Sequence, residues 1–110
     1  MDPLDLIGTP YDKEHDCYWL IRSVVKIGLG ITLPEKPISW RRYGRTIDWP
    51  TDIEAFNLIF FSSNAPRTID HVGIAVSNIE FLHSSEHHGS VVQEPIRRYG
   101  ALIVAVGKFR

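Results

Sequence analysis

The chain has one cysteine and one methionine in 110 residues. A single thiol excludes internal disulfides and any zinc centre built on several thiolates. It does not fix the compartment, because one thiol is tolerated inside or outside the cell. Charge of one sign is also lacking: the formal net charge is −1, with 44% hydrophobic and 23% charged residues. That balance draws the chain neither to nucleic acid nor to an anionic membrane surface. No apolar run approaches the ~20 residues that span a bilayer. The start, Met1-Asp2-Pro3-Leu4-Asp5, is acidic where a signal peptide has a basic end and an apolar core. The expectation is a soluble product made in the cytoplasm without a signal peptide, with no nucleic-acid partner and no membrane insertion. Repeats, low-complexity tracts and linkers are absent as well. Residues 1–110 therefore read as one domain of common size, able to bury a core without metals or disulfides.

What is present is a helical first half and a strand-rich second half, an order that predicts an α+β fold rather than alternating βαβ units. The strongest helix runs from about Asp16 to Leu29. Cys17, Leu20, Ile21, Val24, Val25 and Gly28 follow the i, i+3, i+4, i+7 pattern of one buried face. Asp16 is a good N-cap, Gly28 and Gly30 are stop signals, and Pro34 forbids continuation. Pro34 to Pro50 reads as irregular, and Thr51-Asp52-Ile53-Glu54 has the spacing of a capping box that opens a short helical turn. Leu58-Ile59-Phe60-Phe61 reads as a buried strand. Ile69 to Val76 and Ile79 to His83 read as two more, joined at Asn78 into a hairpin. Val91-Val92 and Ala101 to Val106 complete the strands.

This pattern places a cysteine in the first turn of a helix. There the free amides and the positive end of the helix dipole favour a thiolate. The same amides can donate to an oxyanion. A histidine on a strand crossing that helix end can serve as base and then as acid, provided a further polar group holds its tautomer. His71 and His83, on neighbouring strands of one hairpin, fit those two roles. The residues alone leave other readings open. A lone cysteine on an apolar helix face is also a common core residue. His71 after Asp70 can be a surface residue paired with a carboxylate, and His83, His87 and His88 can be solvated loop residues.

Read together, Gly8-Thr9-Pro10-Tyr11, His15-Asp16-Cys17-Tyr18-Trp19-Leu20-Ile21-Arg22 and Leu29-Gly30-Ile31-Thr32-Leu33-Pro34 resemble the opening of NlpC-type cell-wall peptidases. The phage-tail branch is the nearest, with a motif of roughly DCYGLVR followed by LGI-x-LP. Asp70-His71-Val72-Gly73-Ile74-Ala75-Val76 resembles the HVGIY strand of that family, and Ile79 to Ser85 its F-L/I-H-A/S segment. Gly107-Lys108-Phe109-Arg110 resembles its Y-x-R ending.

The resemblance implies a minimal papain-like α+β domain, with an N-terminal nucleophile helix packed on an antiparallel β-sheet. It implies Cys17 as nucleophile, His71 as base and His83 as the third polar residue. Tyr11 and Asp16 would line the cleft and recognise a substrate amine, beside Tyr18 and Trp19 in the motif. The implied reaction is cleavage of the peptidoglycan stem peptide next to D-glutamate through a thiol acyl-enzyme. No metal or organic cofactor is needed. A phage-tail or wall-targeting protein is the implied partner, and the virion or the cell wall the implied destination. Against the pattern, Trp19 stands where the family has glycine. Asp12-Lys13-Glu14 replaces a glycine pair, and Phe56-Asn57 replaces Gly-Asp before the first strand.

The basic run Trp40-Arg41-Arg42-Tyr43-Gly44-Arg45, extending to Trp49, reads either as a cleft border or as a surface connection. Three rival functions accompany the hydrolase. One is a catalytically silent tail-assembly or interaction module of the same fold. The second is a metal-binding protein using His83 with His87 or His88, with or without His15. The third is an acyltransferase using the same thiol.

Overall fold

The computed structural model of the protein describes residues 1–35, 43–47, 52–63 and 68–109. The N-terminus forms a 3-10 turn over Pro3–Leu6, opened by an Asp2–Asp5 capping box. Next comes α1 (Cys17–Leu29), with Asp16 as its N-cap: the carboxylate accepts from the Trp19 amide at 2.9 Å. It ends at Gly30, whose φ of 69° is the left-handed conformation that glycine adopts without penalty. The predicted helix is therefore found with its predicted cap; of the two predicted stop signals Gly30 ends it, while Gly28 lies inside it.

Six strands follow: β1 (Gly44–Ile47), β2 (Leu58–Phe61), β3 (His71–Ala75), β4 (Glu80–Ser85), β5 (Ser90–Pro95) and β6 (Ile103–Phe109). They form one sheet in the order β1-β6-β2-β3-β4-β5, with every neighbouring pair antiparallel. The N-terminal stretch runs along the free edge of β5, held by Gly8 N–H to the Val91 carbonyl and Val91 N–H to the Thr9 carbonyl, each 2.9 Å. The expected α+β architecture, a helix packed on an antiparallel sheet, is the one present.

Both faces of the sheet are covered. On one, Leu20, Ile21, Val24 and Val25 of α1 pack against Leu58, Ile74, Leu82 and Val91. On the other, Ile59, Phe61, Ala75, Phe81 and Val106 pack with Ile53, Ile96 and Ile103, closed by a 3-10 segment over Ile96–Leu102. The alternation of the strands decides this division, since successive side chains point to opposite faces.

Three expectations need correction. The stretch read as irregular between Pro34 and Pro50 contains β1, which pairs with β6 at the sheet edge. Its residues, Gly-Arg-Thr-Ile, carry almost no apolar alternation, so only the distant partner makes them a strand. The helical turn expected at Thr51–Glu54 is absent over Asp52–Asn57, where the Glu54 amide instead donates to the Asn57 side chain at 2.8 Å. Thr51 lies outside the described residues, as do Trp40, Arg41, Arg42, Trp49 and Arg110. Ala101 and Leu102 belong to the 3-10 segment rather than to the last strand.

Candidate active site

Cys17 opens α1, and the Asp16 cap takes the Trp19 amide. The segment before Cys17 is tied to the sheet by Ser84, fully buried on β4, whose hydroxyl donates to the His15 carbonyl at 2.8 Å. Cys17 and His71 line one cavity of about 350 Å³. Its other walls are mainly apolar, from Ile21, Leu33, Leu58, Phe60, Val72 and Phe109.

The histidines lie diagonally across the sheet. In the β3–β4 ladder Ile74 faces Leu82 and Ala75 faces Phe81, so His71, Gly73, Ala75, Phe81 and His83 share one face. His71 Nε2 and His83 Nδ1 are 2.8 Å apart. The step repeats onto β5, where His83 faces Val92 and Phe81 faces Glu94. His83 Nε2 then meets Glu94 Oε2 at 2.6 Å. Glu94 Oε2 also accepts from the Tyr99 hydroxyl, and Arg98 Nη1 donates to Oε1 at 3.1 Å. The row is boxed by aromatics: Phe61 lies 5.6 Å from His71, and Phe81 and Tyr99 lie 4.7 and 5.6 Å from His83, between ring centroids. Gly73 leaves room for this packing, since a Cβ there would meet Phe81 at 2.7 Å.

Burial sets the protonation states. It pushes the Cys17 thiol up, and the Asp16 charge adds to that. The backbone N–H groups of Val72, Tyr18 and Cys17 itself favour the thiolate without cancelling the burial. The helix-end thiolate expected from the sequence is thus opposed by the apolar wall around it. Burial, with the charge of His83, holds His71 down to about 4. Cys17 and His71 accordingly rest as a neutral thiol and a neutral imidazole at neutral pH. Burial also lowers His83, against the opposing pull of Glu94. For Glu94, burial pushes the carboxyl up, but the hydrogen bonds from Tyr99 and His83 and the charges of His83 and His88 outweigh it. The carboxyl is held below its ordinary value. Burial and Glu94 push Tyr99 up to about 12.

The other candidate residues separate. Tyr18 lines the Cys17 cavity, with its hydroxyl donating to the Pro34 carbonyl at 2.7 Å. Tyr11 is close enough for the Cys17, Asp16 and Glu86 charges to raise its phenol, after burial, above its ordinary value. Trp19 turns away from the cavity: its ring packs edge-on to His15 at 4.7 Å and against the α1 core, bordering a groove with Arg22, Ser23 and Lys26. His71 is half-buried, and Asp70 bonds the Ser63 hydroxyl at 2.6 Å. His88, in an exposed turn, bonds Ser85 and lies 3.5 Å from Glu94 Oε1. Among the described residues, His83, His88 and Glu94 form the one group spaced closely enough to hold a metal ion. His15 and His87 are outside it. Glu94, Tyr99 and Ser84 were not read from the sequence. The adjacent apolar pair Val91-Val92 gives no alternation that says which face Glu94 takes.

Residues 6–102 match the NlpC/P60 family. The chain is 28% identical over 101 residues to a probable endopeptidase NlpC homolog of Haemophilus influenzae, covering 86% of this chain and 52% of that protein. Its fold matches NlpC2 from Trichomonas vaginalis with a TM-score of 0.82 at 21% identity, over 97% of this chain and 44% of the other. It also matches the NlpC/p60 domain of the peptidoglycan hydrolase SagA, with a TM-score of 0.76 at 20% identity, over 97% of this chain and 92% of that domain. The chain thus spans about half the length of the curated relative. On its matched residues and its fold, this chain belongs to the NlpC/P60 family.

Proposed function

We propose that the chain is a cysteine endopeptidase that cleaves the stem peptide of peptidoglycan at the bond beside D-glutamate. Cys17 is its nucleophile, His71 its base and His83 the residue that orients the base. The observation that carries this reading is the His71–His83 bond of 2.8 Å, with His71 on the wall of the same cavity as Cys17. Family membership supplies the reaction class, and the fold match to the domain of SagA, a peptidoglycan hydrolase, suggests the substrate class.

The neutral resting pair sets the order of events. His71 takes the thiol proton as sulfur attacks the scissile carbonyl carbon, so no free thiolate accumulates beforehand. The amides at the start of α1 receive the oxyanion. The C–N bond breaks, and the proton held by His71 goes to the departing amine. Water then attacks the thioester and gives a proton to His71. The S–C bond breaks and the thiol is restored.

Asp16 places negative charge and Tyr11 a phenol near the sulfur, suited to a protonated amine of the substrate. Tyr18 borders the cavity. Trp19 acts through packing. The setting we assign is a phage tail or prophage locus, with residues 1–110 acting as one domain beside a wall-targeting partner; that assignment rests on motif resemblance.

The test is digestion of purified muropeptides, separated and weighed by liquid chromatography–mass spectrometry. Wild type is expected to release fragments cut beside D-glutamate, and Cys17→Ala and His71→Ala to release none. A folded wild type that leaves every muropeptide intact would make the chain an interaction module with an inert thiol. Added amines appearing in the products would make it an acyltransferase.

A further inference from the structure

A neutral histidine in third place can present either a donor or an acceptor to its neighbour, depending on its tautomer. Two neutral imidazoles joined by one hydrogen bond can be polarised in either direction. In one, His71 carries its proton on Nε2, and its Nδ1 is ready to accept another. In the other, the proton sits on Nδ1, and His71 is useless as a base toward sulfur. Whatever holds the far side of His83 decides between them.

That group is Glu94. We propose that Glu94 is the positioning residue of this site, whose carboxylate fixes the tautomers of both histidines so that His71 Nδ1 exchanges the proton with Cys17. The proposal rests on the reading of Cys17 and His71 as nucleophile and base.

Donor and acceptor chemistry alone sets the tautomers along the row. Glu94 is 5% exposed, and its oxygens face the Tyr99 hydroxyl, Arg98 Nη1 and His83 Nε2, all of them able to donate. An ionised carboxylate only accepts. His83 must therefore carry its proton on Nε2, which makes its Nδ1 an acceptor. His71 Nε2, 2.8 Å away, must then donate. The one ring nitrogen of His71 left without a proton is Nδ1. When His71 takes a second proton during attack, the new charge faces the Glu94 carboxylate through His83. The three residues sit at successive diagonal positions on β3, β4 and β5, so the sheet itself holds the row in line. Tyr99 and Arg98 keep Glu94 from turning toward solvent. The other titratable groups around the row are Asp70 beside His71, Cys17 on the wall of the cavity that His71 also lines, Asp16 beside Cys17, and His88 beside Glu94.

The direct test is the tautomer state of His71 and His83 in the wild-type chain, read from ¹⁵N ring shifts by NMR above pH 7. Both are expected as Nε2–H. An Nδ1–H tautomer at either residue overturns the proposal, and this result needs no variant to fold. The second measurement compares Glu94→Leu, which has no acceptor, with Glu94→Gln, which keeps a carbonyl. For Glu94→Leu the His71 signal is expected to show mixed tautomers. Cys17 alkylation by iodoacetamide should slow, with an altered pH profile, and muropeptide kcat should fall by roughly a hundredfold to ten-thousandfold at unchanged KM, the range for losing a positioned general base or its correct tautomer. Glu94→Gln is expected to recover the tautomer and part of the rate. Variants that fold as wild type yet keep its alkylation profile and kcat would reduce Glu94 to a structural residue. If the tautomers and alkylation respond as stated but wild type cuts no muropeptide, the relay stands and the substrate reading falls.

Discussion

Asp16 has two separable effects on its neighbour. Its carboxylate caps α1 through the Trp19 amide, and its charge raises the Cys17 thiol, behind the larger effect of burial. Asn keeps the capping ability and removes the charge; Ala removes both. Asp16→Asn should therefore leave the urea midpoint nearly unchanged while shifting the pH profile of Cys17 alkylation to lower pH. Asp16→Ala should shift the profile the same way and also cost about 1 kcal/mol of stability. Equal profiles in wild type and both variants would remove the electrostatic role of Asp16. At this scale the sequence was legible where the signal is local. Asp16, Cys17 and Gly30 announce cap, helix start and stop within one short stretch. Glu94 was not, because nothing near Gln93-Glu94-Pro95 says which strand lies beside it or which face is shared with His83.

Among the elements, α1 and the loop before β2 show how a local rule is broken where packing compensates. Phe56 has a φ of 69°, a left-handed conformation that disfavours a bulky side chain by roughly 1–2 kcal/mol. It stands where the family resemblance implied glycine. Its ring lies over Gly28 of α1, where an added Cβ would meet Phe56 Cε1 at 2.2 Å. The aromatic ring and the bare helix position fit each other, so the contact offsets the backbone strain. Gly28→Ala should lower stability by about 1–3 kcal/mol, through overpacking against the ring. Adding Phe56→Gly should recover a large part of that loss, giving a coupling detectable in urea midpoints. Purely additive effects would contradict this account. The helix and the β3–β4 hairpin were legible because each carries its own period. β1 was not, because its four residues gain their pairing only from β6, far along the chain.

For the molecule as a whole, the buried row makes stability depend on acid. His71 has its pKa lowered to about 4 in the fold, against 6.5 as the ordinary value. Between those values the unfolded chain binds the extra proton, so stability is full above about pH 6.5 and falls as the pH drops toward 4. The Glu94 carboxyl, held below its ordinary value, acts in the same direction at lower pH. His71 alone can account for up to about 3 kcal/mol of that loss, at 1.36 kcal/mol per pKa unit. Urea unfolding across pH 4 to 7 should show the slope, and His71→Phe should flatten it. A wild-type slope of zero or opposite sign would contradict the buried neutral histidine. The family and the α+β sheet were legible in the ordered motifs. The neutral state of the Cys17–His71 pair was not, because it depends on how deeply the closed sheet and helix bury both groups.

The central claim is that the Cys17 sulfur carries the acyl half of the stem peptide during turnover. The most direct measurement is an acid quench of the wild-type chain while it digests purified muropeptide, followed by intact and tandem mass spectrometry. The expected result is a mass added at Cys17 equal to the fragment ending in the D-glutamyl acyl group, absent from Cys17→Ala. Continued cleavage by Cys17→Ala, or turnover by wild type with the adduct on another residue, would contradict the account.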